Sequence, residues 1–271
     1  MNVTDRRQTF RRLHESGCFV IPNPWDVGSA RQLASLGFKA LATTSSGFAW
    51  SIGKRDNTVS LDECLAHLRA VAASVEVPVN ADFEGGFAVE PEAVARNVAA
   101  ATATGVAGLS IEDSTGDEAA PLFEFGLAVE RIAAARKTID DNRTGVLLTG
   151  RSEGFIVGRP DLPETLRRLT AYAAAGADCL YAPGIRSAAD IGAVVRSVAP
   201  RPVNLLVSSD FTTVAEAAAL GVRRISVGSA LARTAWAGFL DAAREIVEGG
   251  TFIHLSKAVS SAVVEGALPP E

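Results

Sequence analysis

The sequence predicts an α/β chain folded as a (β/α)8 TIM-type barrel with extra C-terminal helices, and three observations carry that prediction. Short apolar runs rich in β-branched residues recur eight times, separated by longer Ala/Leu-rich stretches of helical periodicity. Four helix-to-strand junctions repeat one grammar: LGFKALATTS, TGVAGLSIED, AGADCLYAPG and LGVRRISVGS. Each places Gly where a helix ends, suiting the left-handed C′ position, and then enters a strand through a short loop. The length, 271 residues, fits one barrel of about 250 residues with little left over. Alternating strands and helices imply a parallel sheet. Eight units favour closure, although alternation alone also fits a doubly wound open sheet.

The N-terminal segment MNVTDRRQTFRRLHESG reads as a short amphipathic helix carrying Phe10 and Leu13. It lacks the apolar stretch of a secretory signal, and Asp5 and Glu15 interrupt the pattern of a transit peptide. The strands are expected at Cys18–Asn23, Ala40–Ser45, Val77–Phe83, Gly108–Asp113, Val146–Ser152, Cys179–Gly184, Pro202–Val207 and Arg224–Gly228. Between them Leu61–Val75 puts Leu61, Leu65, Leu68 and Val71 on one helical face. Pro91–Thr104, Ala128–Ile139, Leu162–Ala175, Ala188–Val198 and Val214–Leu220 follow the same pattern, and Asp26 suits a helix N-cap after strand 1. No linker divides the chain, so residues 1–271 read as a single domain. Arg233–Glu248 and Ser256–Val264 read as terminal helices within an extension of about residues 233–271. Its apolar Phe252, Ile253, Leu255, Val263 and Val264 need the barrel or a partner subunit to pack against.

Composition narrows the function classes. With 31 acidic and 26 basic residues the net charge is −5, which gives no global reason to bind nucleic acid. No apolar run reaches the 18 or more residues of a membrane span. Three dispersed cysteines, Cys18, Cys64 and Cys179, form no disulfide framework, which favours a reducing, cytoplasmic location. His14, His67 and His254 lie in or beside helices and read as surface or packing residues.

Chemistry in such a barrel sits at the C-terminal strand ends, and the polar residues fall there. Strand 2 ends in Thr44-Ser45-Ser46-Gly47 and is followed by Gly53-Lys54-Arg55-Asp56; strand 3 carries Asn80, Asp82 and Glu84. Strand 4 ends in Glu112-Asp113, strand 5 in Arg151-Ser152-Glu153, and strand 7 carries Asn204. Alternation sends Asn80, Asp82 and Glu84 to one side of their strand. Asp82, Glu112 and Asp56 can converge on one hard cation, with water and substrate completing the shell, as Mg²⁺ prefers. Spacing alone fits equally well a salt-bridge network in which Arg151 and Arg55 balance these acids. A Schiff-base aldolase needs an interior lysine, and Lys39, Lys54, Lys137 and Lys257 all miss the inner strand positions. Val227-Gly228-Ser229 after strand 8 suits either a phosphate or a tight turn, and Tyr181 either faces the site or packs outside.

VPVNADFEGG, GLSIEDS, TSSG followed by GKRD, and TGRSEGFIVG together resemble the isocitrate lyase/phosphoenolpyruvate mutase superfamily, from about Ile21 to Ala232. The resemblance implies a modified barrel that binds Mg²⁺, or Mn²⁺ in its place, and a pyruvate-like group. It implies that Ser45, Ser46, Gly47 and Phe48 match the stretch whose backbone amides hold the pyruvyl carboxylate. It assigns Asp82, Asp56, Glu112 and Asn80 to the metal, Arg151 and Asn204 to the substrate, and Arg151, Glu112 and Asp56 to catalysis. Asn80 stands where the family has a carboxylate, and the loop Ser114–Phe125 has no Cys, unlike isocitrate and methylisocitrate lyases. Those two activities are therefore not carried over.

The expected activity is that of a carbon–carbon lyase, oxaloacetate decarboxylase-like. It cleaves a small 2-oxo or 2-hydroxy dicarboxylic acid through an enolate steadied by the metal, with Glu112, Asp113 or water as the acid. The alternatives are a P–C bond enzyme (a phosphonopyruvate hydrolase or a phosphoenolpyruvate mutase-like relative) and a 2-oxo acid binding protein without turnover. The family resemblance further implies a homodimer or homotetramer.

Overall fold

The computed structural model describes residues 1–268, so the last three residues of the expected C-terminal extension lie outside it. The strands are β1 (Phe19–Ile21), β2 (Leu41–Ala42), β3 (Val79–Asp82), β4 (Gly108–Glu112), β5 (Leu147–Arg151), β6 (Cys179–Tyr181), β7 (Val203–Leu206) and β8 (Arg224–Ser226). All pairs are parallel, in the order β1-β8-β7-β6-β5-β4-β3-β2. Ala42 N donates to Pro22 O at 3.0 Å across the remaining seam between β1 and β2. The sheet therefore forms a nearly closed (β/α)8 barrel. Every expected strand is present, trimmed at its ends because stagger in a barrel leaves strand termini without a partner.

The helices are α1 (Val3–Leu13), α2 (Val27–Ser35), α3 (Ser45–Ser51), α4 (Leu61–Ser74), α5 (Pro91–Thr102), α6 (Phe125–Asp141), α7 (Leu162–Ala174), α8 (Ala188–Val198), α9 (Val214–Ala219), α10 (Ala230–Gly249) and α11 (Ser261–Glu265). The repeated junction grammar has the expected cause: Gly37, Gly105, Gly176 and Gly221 have φ of 89°, 94°, 102° and 92°. Two elements differ from the sequence expectation. Strand 2 stops early, because Thr44 caps a new helix, α3, its Oγ1 accepting from Gly47 N at 3.4 Å. The expected helix over 256–264 is split into a 3₁₀ turn at His254–Lys257 and α11. Glu245 pins that turn, accepting from Thr251 Oγ1 and from the backbone N–H of Ile253 and His254.

The apolar core lies between sheet and helices: outward-facing Leu109, Ile111, Leu148, Leu180 and Leu205 pack on Val98, Ile132, Leu169 and Val194. The inward-facing positions are polar, with Asn80, Ser110, Thr149, Asn204, Arg224 and Ser226 all buried. Branched aliphatics normally fill this volume. The polar lining is the first sign that the barrel interior serves a ligand.

Helix α1 closes the N-terminal end of the barrel. Its Phe10 is fully buried, and Gly108 makes room for it, since a Cβ there would stand 2.6 Å from the Phe10 ring. Arg7 staples the helix to three loops by donating to Val106 O, Thr144 O and Thr102 O. At its end His14, buried rather than exposed, donates from Nδ1 to Phe10 O (2.8 Å) while its Nε2 faces Arg224 Nη1 (3.3 Å). At the opposite end of the chain, α10 leaves Trp236, Phe239, Leu240 and Val247 exposed. Among the described residues no helix is long and apolar enough to cross a membrane.

Burial, reinforced by Arg224, pulls the His14 pKa from its ordinary 6.5 down to about 3. Between those values the unfolded chain binds more protons than the folded one, so stability falls as pH drops through that window. At pH 5 the loss is about 2 kcal/mol. Urea midpoints at pH 7 and pH 5 are expected to converge in His14→Gln relative to the wild type; an unchanged difference would show that His14 titrates as it does in the unfolded chain.

Candidate active site

The C-terminal ends of the strands surround a cavity of about 240 Å³ that runs down into the barrel. At its rim Arg151, the last residue of β5, is held by three carboxylates at once. Its Nη1 donates to Asp82 Oδ1 (2.7 Å), Nη2 approaches Glu112 Oε2 (3.0 Å), and Nε donates to Glu153 Oε1 (2.9 Å). The register accounts for the meeting: Glu112 pairs with Arg151 across the β4–β5 ladder. Glu153 is aimed by its own backbone N, which donates to Asp113 Oδ1 at 2.8 Å. The Tyr181 ring lies 5.1 Å from the guanidinium, and the two residues are register partners between β5 and β6.

Of these groups, Asp82, Arg151, Glu153 and Tyr181 line the cavity, together with Asp56, Asn80, Ser45 and Ser46. Asp82 Oδ2 accepts from Ser45 N at 3.0 Å, which fixes the carboxylate against the first turn of α3. Burial and the neighbouring Asp82 push the Asp56 carboxyl above the usual carboxylate range. Glu84, next along the chain from the barrel mouth, is pushed to about 7 by burial and by Asp82 and Asp56. Burial likewise raises Glu112 and Glu153, opposed by Arg151. Three acids thus contact one guanidinium with Asp56 and Glu84 nearby, a shortage of positive charge that protons or a bound cation would relieve.

The donor set fits a divalent ion in part. Asp82 and Asp56 share the cavity, and Asn80, 4% exposed, has its Oδ1 without a hydrogen-bond partner. Two carboxylates and an amide oxygen, with the other positions taken by water and substrate, match what Mg²⁺ accepts. Among the described residues no group of three His, Cys, Asp or Glu could by itself hold a metal. Glu112 stays on Arg151 and faces a neighbouring groove with Glu84. The expected ligand set therefore does not assemble as one protein cage.

Other expected residues separate. Asn204 lines the deep part of the cavity, its Oδ1 accepting from Arg224 Nε at 2.9 Å. Gly47 is buried with its N–H given to Thr44, and Phe48 stacks on His67 with ring centroids 3.9 Å apart, outside the cavity lining. Of the amides in this turn, Ser46 N–H alone has no partner among the described residues, so it is the one free for a ligand. Asp113 is no candidate acid: it is 2% exposed and accepts from Tyr172 OH (2.6 Å), Arg168 Nη1 (3.1 Å) and Glu153 N. The Val227 and Gly228 amides both donate to Asn23 Oδ1 at 2.9 Å, so that turn is not a phosphate cradle. Lys54 pairs with Glu63 at 2.5 Å, away from the cavity lining. Sequence reasoning missed Asn23, Ser110, Arg224 and Ser226 in the lining. The alternation of Arg224 and Ser226 about Ile225 was the available signal.

A family model described as phosphoenolpyruvate phosphomutase matches residues 10–247. A crystal structure from Burkholderia cenocepacia, described only provisionally as a lyase/mutase, has a TM-score of 0.95 at 43% identity, covering 98% of this chain and 99% of its own. An uncharacterised protein of Mycobacterium tuberculosis is 32% identical over 243 residues, 89% of this chain and 90% of its own length. An oxaloacetate decarboxylase of Paraburkholderia xenovorans is 26% identical over 276 residues, 98% of this chain and 90% of its own length.

Removing the shared guanidinium leaves three close acids unpaired. Arg151→Met is expected to lose about 3–5 kcal/mol of unfolding free energy at pH 8 in EDTA. The loss should shrink as acid neutralises the carboxylates. Urea denaturation checks both, and an equal loss at every pH would contradict the assigned pairing.

Proposed function

Because the chain belongs to the phosphoenolpyruvate phosphomutase family, within the isocitrate lyase/phosphoenolpyruvate mutase superfamily of enzymes, we propose that it is a Mg²⁺-dependent carbon–carbon lyase acting on a small 2-oxo dicarboxylic acid. Decarboxylation of an oxaloacetate-like acid is the simplest form of that reaction. The observation that carries the reading is the excess of carboxylate around Arg151 at the mouth of a polar cavity. The decarboxylase name of a relative that spans 90% of its own length against this chain supports the same class.

Asp82 and Asp56, with the Asn80 amide oxygen, would hold the ion. When bound, Mg²⁺ supplies Lewis-acid polarisation of the 2-oxo acid. The chain's own groups do the rest. Two of the five Arg151 N–H groups donate to carboxylates, those of Asp82 and Glu153, and Nη2 lies against Glu112, which leaves N–H groups on both Nη atoms for the substrate carboxylate. The Ser46 N–H stabilises charge at the adjacent oxygen. Cleavage leaves electron density on C3 that must be protonated. Tyr181 serves: it lines the cavity, and burial raises its pKa to about 12, so its phenol keeps the proton until carbanion character develops. The apolar face of α10 docks on a second copy of the chain, making the protein a homo-oligomer.

Oxaloacetate and phosphonopyruvate turnover, each with Mg²⁺ and after EDTA, separates the readings. Oxaloacetate loss that EDTA stops and Mg²⁺ restores is expected. Turnover of phosphonopyruvate alone would make it a P–C bond enzyme, and oxalate binding without any turnover would make it a binding protein. Asp82→Ala is expected to abolish the Mg²⁺ response. Tyr181→Phe is expected to lower kcat about 10²-fold with KM little changed, and an unaltered kcat would remove it as the proton donor.

A further inference from the structure

The floor of the cavity is electrically the opposite of its rim. Arg224, at the start of β8, is 3% exposed and lines the same cavity as Asp82 and Arg151. Its hydrogen bonds go only to uncharged groups: Nε to Asn204 Oδ1 (2.9 Å), Nη2 to Thr149 Oγ1 (3.1 Å), and Nη1 to His14 Nε2 (3.3 Å). His14 is neutral there, its pKa held at about 3. Among the described residues Arg224 has no carboxylate partner. A buried cation without a counter-ion is costly unless something pairs with it, and a strut that merely tied α1 to the sheet would need no charge.

We propose that Arg224, with the Ser226 and Ser110 hydroxyls that line the same cavity, forms an anion subsite that binds the carboxylate of the substrate remote from its 2-oxo or 2-hydroxy group. The inference rests on the site reading above and deepens it: the substrate is a dicarboxylate bound along the barrel axis, chelating end at the rim and second acid on the floor. The spacing agrees. Thr149, which Arg224 contacts, lies two residues below Arg151 on β5, about 7 Å by strand rise. A dicarboxylate, with one acid at each end, can be held by both guanidinium groups at once, as a monocarboxylate cannot. The register row Arg151–Tyr181–Asn204–Arg224, continuous across β5 to β8, joins the two ends of the site. The cavity acids Asp56, Asp82 and Glu153 repel a second carboxylate from the mouth, and Arg224 attracts it inward.

The test uses unreactive ligands: racemic malate, 2-hydroxybutyrate (the same chain with the remote carboxylate replaced by methyl) and oxalate. Each is titrated calorimetrically into Mg²⁺-loaded protein. Wild type is expected to bind malate about 10²-fold more tightly than 2-hydroxybutyrate. Arg224→Met should erase that preference and leave oxalate affinity within about twofold; Arg224→Lys should restore part of it. Equal weakening of malate and oxalate in Arg224→Met would make the residue a strut and overturn the subsite. Should the variants not fold, the wild-type ratio alone decides, since a ratio near one overturns it. Oxalate binding without a preference for malate removes the floor subsite and leaves the rim reading intact; failure of wild type to bind oxalate removes both.

Discussion

One guanidinium shared by three carboxylates sets the terms for the rest of the molecule. Arg151 contacts Asp82, Glu112 and Glu153 from three different strand ends, and each contact is made where water is largely excluded. Such a cluster is stable only if the strands hold their register, so the barrel's helices and loops are organised to keep it. Asp113 is the clearest case: its two oxygens collect the Glu153 amide, Tyr172 and Arg168, tying the end of β4 to the C-terminal half of α7 behind the cluster. Arg168 also donates to Phe123 O, which draws the loop after β4 against the same anchor. The carboxylates left around the rim are what would make the site receptive to a cation.

The architecture was legible because it rests on period. Eight apolar runs and the glycines at Gly37, Gly105, Gly176 and Gly221 follow from backbone geometry, and the barrel reproduces each. What periodicity could not reveal was local competition. Thr44 turns the chain into α3 where β-branched residues favour strand, because a hydroxyl cap satisfies the first-turn N–H groups. Ahead of the expected C-terminal helix, Glu245 accepts from the Ile253 and His254 N–H groups and fixes the 3₁₀ turn His254–Lys257 there instead.

At the site, the sequence identified residues and left their partners open. Asp82, Asp56, Asn80, Arg151 and Asn204 meet in one cavity, because alternation on each strand is a local property. Glu112 and Phe48 depart from the expected grouping for non-local reasons, one captured by Arg151 across the ladder, the other by His67 on α4. The two readings that spacing left open, cation site and salt-bridge network, are not exclusive. The network takes in Glu112, Glu153 and one oxygen of Asp82, while Asp82 and Asp56 also line the cavity. Arg224 escaped notice because its meaning depends on α1 closing the barrel from below, a contact 210 residues away in sequence.

The central claim is that the rim binds a divalent ion and a small 2-oxo acid anion together. Water-proton relaxation with Mn²⁺ as the paramagnetic probe tests it most directly, by titrating the ion with and without oxalate. Linkage requires that each ligand tighten the other by the same factor. Saturable Mn²⁺ binding that oxalate strengthens, and that Asp82→Asn abolishes, is the predicted result. Mn²⁺ binding that is absent, or indifferent to oxalate, would contradict the account.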